Sequence, residues 1–206
     1  MLLATCVVAL FCFIPASSLA PPHCEELVRP LDHVDGHQLD GLWLLIAISL
    51  DDPLYPAETL KIFDSWVIKF SNASDTSNTS NLLYETIYSA GGSCYNPPSS
   101  NITLKGNSFS SSNVSITFIH TGCSDCLLMH FLNREGFGNL HLYSKRREVE
   151  KEVMDEFKTQ IECVKNQPPV MMDTSKKLCP YQMPTLPEIE ELAEKLKAVE
   201  NVAPDA

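Results

Sequence analysis

The first twenty residues of this chain contain no charged side chain. Their apolar run, residues 2–14, is too short to span a bilayer and is followed by small residues. This pattern predicts a secretory signal peptide over residues 1–20, cleaved after Ser18 or after Ala20. No later segment of the sequence is apolar enough to cross a membrane. We therefore predict a secreted, extracellular protein without stable membrane insertion.

Positively charged side chains are scarce, since 15 Lys and Arg residues stand against 26 Asp and Glu residues and give a net charge of −11. Such a chain repels nucleic acid and anionic membranes, so we predict no nucleic-acid partner. The sequence also lacks the Gly-x-Ser-x-Gly and His-Glu-x-x-His motifs. Its carboxylates fall mostly on predicted helices and loops. We predict no enzyme activity, no catalytic residue, no metal and no cofactor.

Cysteines remain in an even number after the signal peptide is removed with Cys6 and Cys12. Six are left, at Cys24, Cys94, Cys123, Cys126, Cys163 and Cys179. An even count in a secreted chain predicts disulfides, although six cysteines allow about fifteen pairings. Glycosylation sequons, which suit an extracellular surface, occur at Asn72, Asn78, Asn101 and Asn113. We expect about three of the four to be used.

Alternation of apolar and polar residues with a period of two runs from residue 41 to residue 143 and predicts strands. The strand candidates cover 41–50, 65–71, 82–90, 93–96, 101–105, 107–111, 114–120, 126–132 and 139–144. Strands at this spacing are typical of a sandwich or a barrel.

A helical pattern follows the strands. Residues 147–166 repeat apolar side chains four apart, which predicts one amphipathic helix with the stripe Val149, Val153, Phe157 and Ile161. We expect this helix to cover the doubly apolar first strand at Leu44, Ile46 and Ile48. A shorter helix is predicted over residues 187–200, with Pro187 at its first position.

The stretch from Phe118 to Phe131 holds Cys123 and Cys126 between His120 and His130, a spacing open to a zinc site, a redox centre or a structural disulfide. A hairpin around Ser124-Asp125 pairs residue 123 with 126 and residue 120 with 129. Successive side chains of a strand point to opposite faces, so the two histidines cannot share one metal in this register. A redox thiol needs a helix start to lower its pKa. The disulfide accounts best for both cysteines, and the other two hypotheses stay open.

Gly41-x-Trp43 opens the first strand about seventeen residues after a cysteine and resembles the lipocalin signature. Four stretches are similar to the α1-acid glycoprotein (orosomucoid) branch of that family: the segment from Cys24 to Leu50, the SCYN stretch at 93–96, the segment 137–164 and the KKLC stretch at 176–179. Within the branch the chain most resembles the plasma proteins of fish that bind tributyltin, and saxitoxin or tetrodotoxin. The resemblance covers about Cys24 to Cys179.

The resemblance implies an all-β fold, an eight-stranded antiparallel up-and-down barrel with one long C-terminal α-helix packed outside and a shorter tail helix. It places the barrel and its helix in residues 21–180, with a tail over 181–206. Trp43 would plug the closed end beneath a basic side chain, for which Lys145, Arg146 and Arg147 are the candidates. The implied disulfides are Cys24–Cys163 and Cys94–Cys179, which leaves Cys123–Cys126.

Residues lining the barrel follow from parity along each strand. Glu85 prefers solvent and Asn113, if glycosylated, must point outward, while alignment with the family from Cys163 places His141 and Tyr143 in its pocket. The predicted ligand-binding residues are Tyr84, Thr86, Tyr88, Phe118, His120, Met129, Phe131, His141 and Tyr143.

The lipocalin resemblance and the aromatic lining together predict a function. We expect a monomeric carrier of blood plasma that binds a small hydrophobic, amphipathic or cationic molecule, such as a xenobiotic, toxin, lipid or steroid. The alternative is an immune or acute-phase interaction protein that uses the barrel as a scaffold with little cavity. An open interior favours the carrier, and one filled by side chains favours the scaffold.

Overall fold

A computed structural model describes residues 23–51, 56–72 and 80–180. The predicted signal peptide over 1–20, the predicted helix over 187–200 and the sequon at Asn78 lie outside these ranges. Within them, no helix combines the length and the apolar character that crossing a bilayer requires.

The described residues form ten strands, two short α-helices, one long α-helix and one 3-10 helix. The strands are β1 (Gly41–Ser49), β2 (Phe63–Asn72), β3 (Asn81–Ala90), β4 (Ser93–Tyr95), β5 (Ser100–Thr103), β6 (Ser108–Ser111), β7 (Val114–Ile119), β8 (Cys126–Leu132), β9 (Gly138–Ser144) and β10 (Val170–Met171). The α-helices are α1 (Cys24–Leu27), α2 (Gly36–Leu39) and α3 (Lys151–Val164), and a 3-10 helix spans Ala57–Ile62.

Eight strands form one antiparallel sheet in the order β4-β3-β2-β1-β9-β8-β7-β6. Strand β5 continues along β3 beside β4, and β10 pairs with β1. An isolated bridge between Lys105 and Ser108 joins the end of β5 to β6, so the sheet curls back on itself. The predicted all-β fold, an antiparallel up-and-down barrel followed by one long helix, is confirmed.

Helix α3 lies on the outside of the barrel, as predicted. Phe157, which is 1% exposed, and Ile161 pack with Leu128, Leu140 and Leu142 from β8 and β9. The helix begins at Lys151 rather than at residue 147, because Glu150 has extended backbone angles. It ends at Val164, because the next residue, Lys165, has a positive φ of 62°.

The surface of β1 under the helix differs from the prediction. A β-bulge between Leu45 and Ala47 adds a residue and exchanges the two faces of the strand. Ile46 therefore packs under α3 as expected, whereas Ile48 points into the barrel and Leu44 packs against a separate outer cluster around Val67.

Three disulfides join the six described cysteines. Two of them are the pairs that the family resemblance implies, and the third joins the two cysteines that those pairs leave over. Cys24–Cys163 ties α1 to α3 across 139 residues of sequence. Cys94–Cys179 ties the segment after β10 to β4. Cys123–Cys126 closes the turn between β7 and β8.

The β7–β8 hairpin has a register two residues away from the predicted one, since Phe118 pairs with Met129 and Ile119 with Leu128. A shift of two residues preserves which side chains share a face. His120 does not point inward as predicted, because β7 ends at Ile119 and His120 is exposed. Its N–H donates to the carbonyl of Arg29 at 2.9 Å, so the N-terminal segment decides where the strand ends.

Three of the four sequons lie in described residues, and Asn72, Asn101 and Asn113 are all exposed. Asn113 sits at the turn between β6 and β7 with a φ of 70°, and its side chain accepts a hydrogen bond from Arg134. These positions are accessible to a glycosylating enzyme, and glycosylation itself stays a prediction.

Candidate functional site

Trp43 seals one end of the barrel, which we call the closed end. The ring is 3% exposed, and its Nε1 donates to the carbonyl of Leu39 at 2.7 Å. Lys145 is the basic residue over it, with Nζ 4.7 Å from the ring centroid, a contact worth about 0.5–1 kcal/mol at an exposed site. Arg146 instead binds Asp125 and Glu150, each at 2.5 Å, and Arg147 donates to the carbonyl of Lys176.

Strands β2 and β3 supply one inner wall. Phe70 pairs with Tyr84, Ile68 with Thr86 and Trp66 with Tyr88. Because Ile68 and Phe70 are 0% exposed and belong to the interior cluster, their cross-strand partners point inward too. The orientation of these three residues of β3 agrees with the prediction.

The outer face of the same two strands carries charge. Lys69 and Glu85 form an ion pair at 3.5 Å there. The charged side chains are thus kept out of the barrel, as the alternation of the sequence indicated.

Strands β7, β8 and β9 supply the opposite wall. Phe118 and Met129 are 0% exposed and Tyr143 is 1% exposed, all within the interior cluster, and Phe131 packs against it. His141 is 7% exposed and lies between Met129 on β8 and Ile48 on β1. Apart from His120, the structure therefore brings every predicted ligand-binding residue into the barrel interior.

A polar pair lies within this apolar interior. His141 Nδ1 is 3.2 Å from the hydroxyl of Tyr143, and the ring of Phe131 stacks on His141 with centroids 4.0 Å apart. Burial lowers the pKa of His141 to about 3, helped by the nearby His130. Burial also raises the pKa of Tyr143, with a smaller contribution from Tyr84. Both members of the pair are therefore uncharged at neutral pH.

Aromatic side chains gather at the end opposite Trp43, which we call the open end. Trp66 stacks on Tyr88, and Tyr88 stacks on Tyr95, each at 5.2 Å between centroids, while Phe63 meets the edges of Trp66 and Tyr88. The sequence did not identify Trp66 or Tyr95 as site residues. Working out the β2–β3 and β3–β4 registers would have found them, because both pair directly with Tyr88.

Trp66 also carries an unsatisfied donor. Its Nε1 is buried and has no hydrogen-bond partner, the one such side-chain atom in the described part of the chain. Leaving a buried donor unpaired costs about 1–3 kcal/mol. A ligand oxygen that reaches this atom would recover that cost.

Exposure changes along the barrel axis. On β8 the inward residues run from Met129, which is 0% exposed, to Phe131, which is half-buried. Trp66 and Tyr88 are half-buried as well, although they point inward. Inward side chains of a barrel reach solvent through its open end, so the aromatic group there contacts solvent while the middle is filled by side chains.

The Cys123, Asp125 and Cys126 group is the cluster that the metal and redox hypotheses would use, with its three ligand atoms within 4.8 Å of one another. The two sulfurs are bonded in a disulfide and are not thiolate ligands. The carboxylate of Asp125 is bound by Arg146. The structure therefore favours the disulfide hypothesis for this motif.

Comparison with known proteins gives a fold. No family model and no curated protein matches the sequence. Among solved structures, lipocalin 12 from rat epididymis is 14% identical with a TM-score of 0.60, over 74% of this chain and 93% of that one. The siderocalin Ex-FABP, which is described as functioning through dual ligand specificities, is 14% identical with a TM-score of 0.52, over 71% of this chain and 96% of that one. The odorant-binding protein OBP1 is 11% identical with a TM-score of 0.54, over 70% of this chain and 97% of that one. The chain has the lipocalin fold.

Proposed function

We propose that this protein is a secreted carrier that binds a small hydrophobic or amphipathic molecule inside its barrel. One observation carries the proposal: half-buried aromatic side chains lie at the open end, and one of them, Phe131, stacks on the uncharged His141–Tyr143 pair in the interior. Pockets for small molecules combine an apolar lining with a few fixed polar groups of this kind. The names of two structural neighbours, a dual-ligand siderocalin and an odorant-binding protein, support the same class of function.

The interior favours an uncharged ligand. Among the described residues, none of the fully buried side chains is Asp, Glu, Lys or Arg. A cationic ligand would have aromatic faces to lie on, as at Trp66 and Tyr88, but no carboxylate at depth to neutralise it. We therefore rank neutral amphipathic molecules above cations, which the sequence alone treated equally.

The finer assignment rests on the sequence. We propose that residues 1–20 are a signal peptide, that the mature chain circulates in plasma as a glycosylated monomer, and that it belongs to the orosomucoid-like branch near the fish toxin-binding and tributyltin-binding proteins. The pairs Cys24–Cys163 and Cys94–Cys179 support that branch. We propose no enzyme activity, since the six described cysteines are all in disulfides and no thiol is left to act.

The second candidate is a lipocalin scaffold whose interior is filled. The fully buried Phe118, Met129 and Tyr143 favour it for the middle of the barrel. The half-buried residues at the open end favour the carrier. Binding at the open end therefore separates the two functions.

The test is titration of the uncharged fluorescent probe N-phenyl-1-naphthylamine. Tyr88→Ala should weaken binding about tenfold or more, equal to about 1.4 kcal/mol. Leu83→Ala truncates an outward side chain of the same strand and should change the affinity less than about twofold. Absence of saturable binding to the unaltered protein would support the scaffold. Equal effects of the two variants would place the probe outside the barrel.

A further inference from the structure

A separate cavity of about 280 Å³ lies at the closed end, on the far side of the packed middle from the aromatic group at the open end. Its lining residues are Leu31, Val34, Gln38, Leu39, Trp43, Phe118, Ile119, Thr121, Cys123, Ser124, Cys126, Leu127 and Leu128. We propose that this closed-end cavity is a second binding site, for an uncharged amphipathic molecule of about ten non-hydrogen atoms. It goes beyond the proposed function because it shares no space with the open end.

The separation of the two sites is visible along β8. Leu127 lines the closed-end cavity, Met129 is fully buried, and Phe131 is half-buried toward the open end. All three side chains point inward because they lie two residues apart on one strand. The packed layer at Met129 therefore divides the interior into two spaces.

One wall of the cavity comes from the N-terminal segment. Leu31 N–H donates to the carbonyl of Phe118 at 2.9 Å, so this segment pairs with the end of β7. The chain then crosses beneath the barrel, where α2 brings Leu39 under Trp43.

The other wall is the loop between β7 and β8, which is held from outside. Gly122 N–H donates to both carboxylate oxygens of Glu156 on α3 at 3.1 Å. Gln160, which is 1% exposed, donates to the carbonyls of Leu27 and His120 at 2.8 and 3.0 Å. Both walls are thus anchored to the same helix.

The Cys123–Cys126 disulfide stiffens the loop where it borders the cavity. A wall fixed by a disulfide and by hydrogen bonds to α3 resists collapse when the cavity is empty. The site is therefore preformed, which lowers the ordering cost of binding.

The chemistry of the lining defines the ligand. The deep residues are apolar, and Leu39, Trp43 and Phe118 are at most 3% exposed. The exposed rim carries the amide of Gln38 and the hydroxyl of Ser124. No lining residue is charged. This combination fits an apolar body with an uncharged hydrogen-bonding head at the rim.

The size of the cavity bounds the ligand. At about 30 Å³ of liquid volume per water molecule, the space corresponds to about nine waters. It lies just below the usual range for drug-sized ligands, about 300–1,000 Å³. A medium-chain alcohol matches this volume, so 8-bromo-1-octanol, with about ten non-hydrogen atoms, is a suitable probe.

The chain has two tryptophans, and they lie at opposite ends of the barrel. Trp43 lines the closed-end cavity and Trp66 lies in the aromatic group at the open end. Trp66→Phe leaves Trp43 as the only indole, and Trp43→Phe leaves Trp66. The bromine atom quenches an indole that it contacts, so each variant reports one site.

We expect 8-bromo-1-octanol to quench Trp43 saturably in Trp66→Phe. Adding Ser124→Phe, which places a ring at the rim, should raise the probe's apparent Kd about tenfold or more. Ser110→Phe, the same change at an exposed position on β6, should leave it within about twofold. Near-ultraviolet circular dichroism checks that both variants fold.

Three results would overturn the proposal. Trp43 could stay unquenched up to the solubility limit of the probe. Ser124→Phe could match Ser110→Phe while both are folded. Quenching of Trp66 in Trp43→Phe, without quenching of Trp43 in Trp66→Phe, would place the probe at the open end. N-phenyl-1-naphthylamine tests binding at the open end. If 8-bromo-1-octanol does not bind at the closed end, the proposed carrier function therefore still stands. If N-phenyl-1-naphthylamine does not bind at the open end, the proposed second site still stands.

Discussion

Acid should destabilise this protein through His141, which is buried beside Tyr143 with a pKa of about 3 against an ordinary value of 6.5. Below pH 6.5 the unfolded chain takes up a proton at this ring, whereas the folded chain does so only near pH 3. The stability that a neutral His141 preserves is therefore complete above pH 6.5 and is lost as the pH falls toward 3. Each pH unit in that window is worth about 1.4 kcal/mol, so moving from pH 7 to pH 4.5 should cost about 2–3 kcal/mol.

The assay is urea unfolding at pH 7 and pH 4.5. Comparing each variant with the unaltered protein removes the contribution of the carboxylates, which all of these proteins share. His141→Gln should lose about 2–3 kcal/mol less on acidification than the unaltered protein. His37→Gln changes an exposed histidine and should follow the unaltered protein. An equal loss in all three proteins would mean that His141 is protonated as easily in the folded chain as in the unfolded one. The interior at His141 would then be open to water, and the uncharged pocket would be wrong.

Three further predictions concern the packing of the long helix and the disulfides. Phe157→Ala should lower the free energy of unfolding in urea by about 3–5 kcal/mol, because the ring is 1% exposed under α3, whereas the exposed Lys158→Ala should cost under about 1 kcal/mol. A loss below about 1 kcal/mol for Phe157→Ala would mean that the helix is misplaced. Thiol titration of the unfolded, unreduced protein should read near zero, and two reactive thiols would revive the redox and metal hypotheses. Replacing the Cys123–Cys126 pair by serine should cost about 2 kcal/mol, against about 5 kcal/mol for Cys24–Cys163, because the closed loops differ so much in length. Equal losses would rule out the chain-entropy account.

The alternation of the sequence was enough to predict the strands and which side chains share a face, because each strand shows its own two faces, whereas the barrel itself was implied by the lipocalin resemblance. Glu85 pointed outward and therefore placed Tyr88 inward, without any knowledge of the neighbouring strand. The same parity explains why a hairpin register wrong by two residues still put Phe118 and Met129 in the interior.

Features that depend on contacts between residues far apart in the sequence could not be predicted from it. The bulge after Leu45 moved Ile48 from the helix-facing surface to the interior, and nothing in an all-apolar strand marks such a bulge. His120 was wrongly placed because its strand ends where Arg29 pairs with it, ninety-one residues earlier in the chain. Tyr88 is stacked between Trp66 and Tyr95. Predicting this stack requires both the β2–β3 and the β3–β4 register.

The sequence predicted that Cys123 and Cys126 form a disulfide, and the structure adds where that disulfide lies. Parity favoured a disulfide over a metal, but a disulfide across a four-residue turn contributes little to stability compared with the two long ones. Its position supplies a reason for its presence, because both sulfurs border the closed-end cavity. The loop that carries them is held to α3 through Gly122 and Glu156. A disulfide that contributes about 2 kcal/mol, against about 5 kcal/mol for Cys24–Cys163, and that also fixes the wall of a cavity is consistent with the binding proposed there in addition to a part in folding.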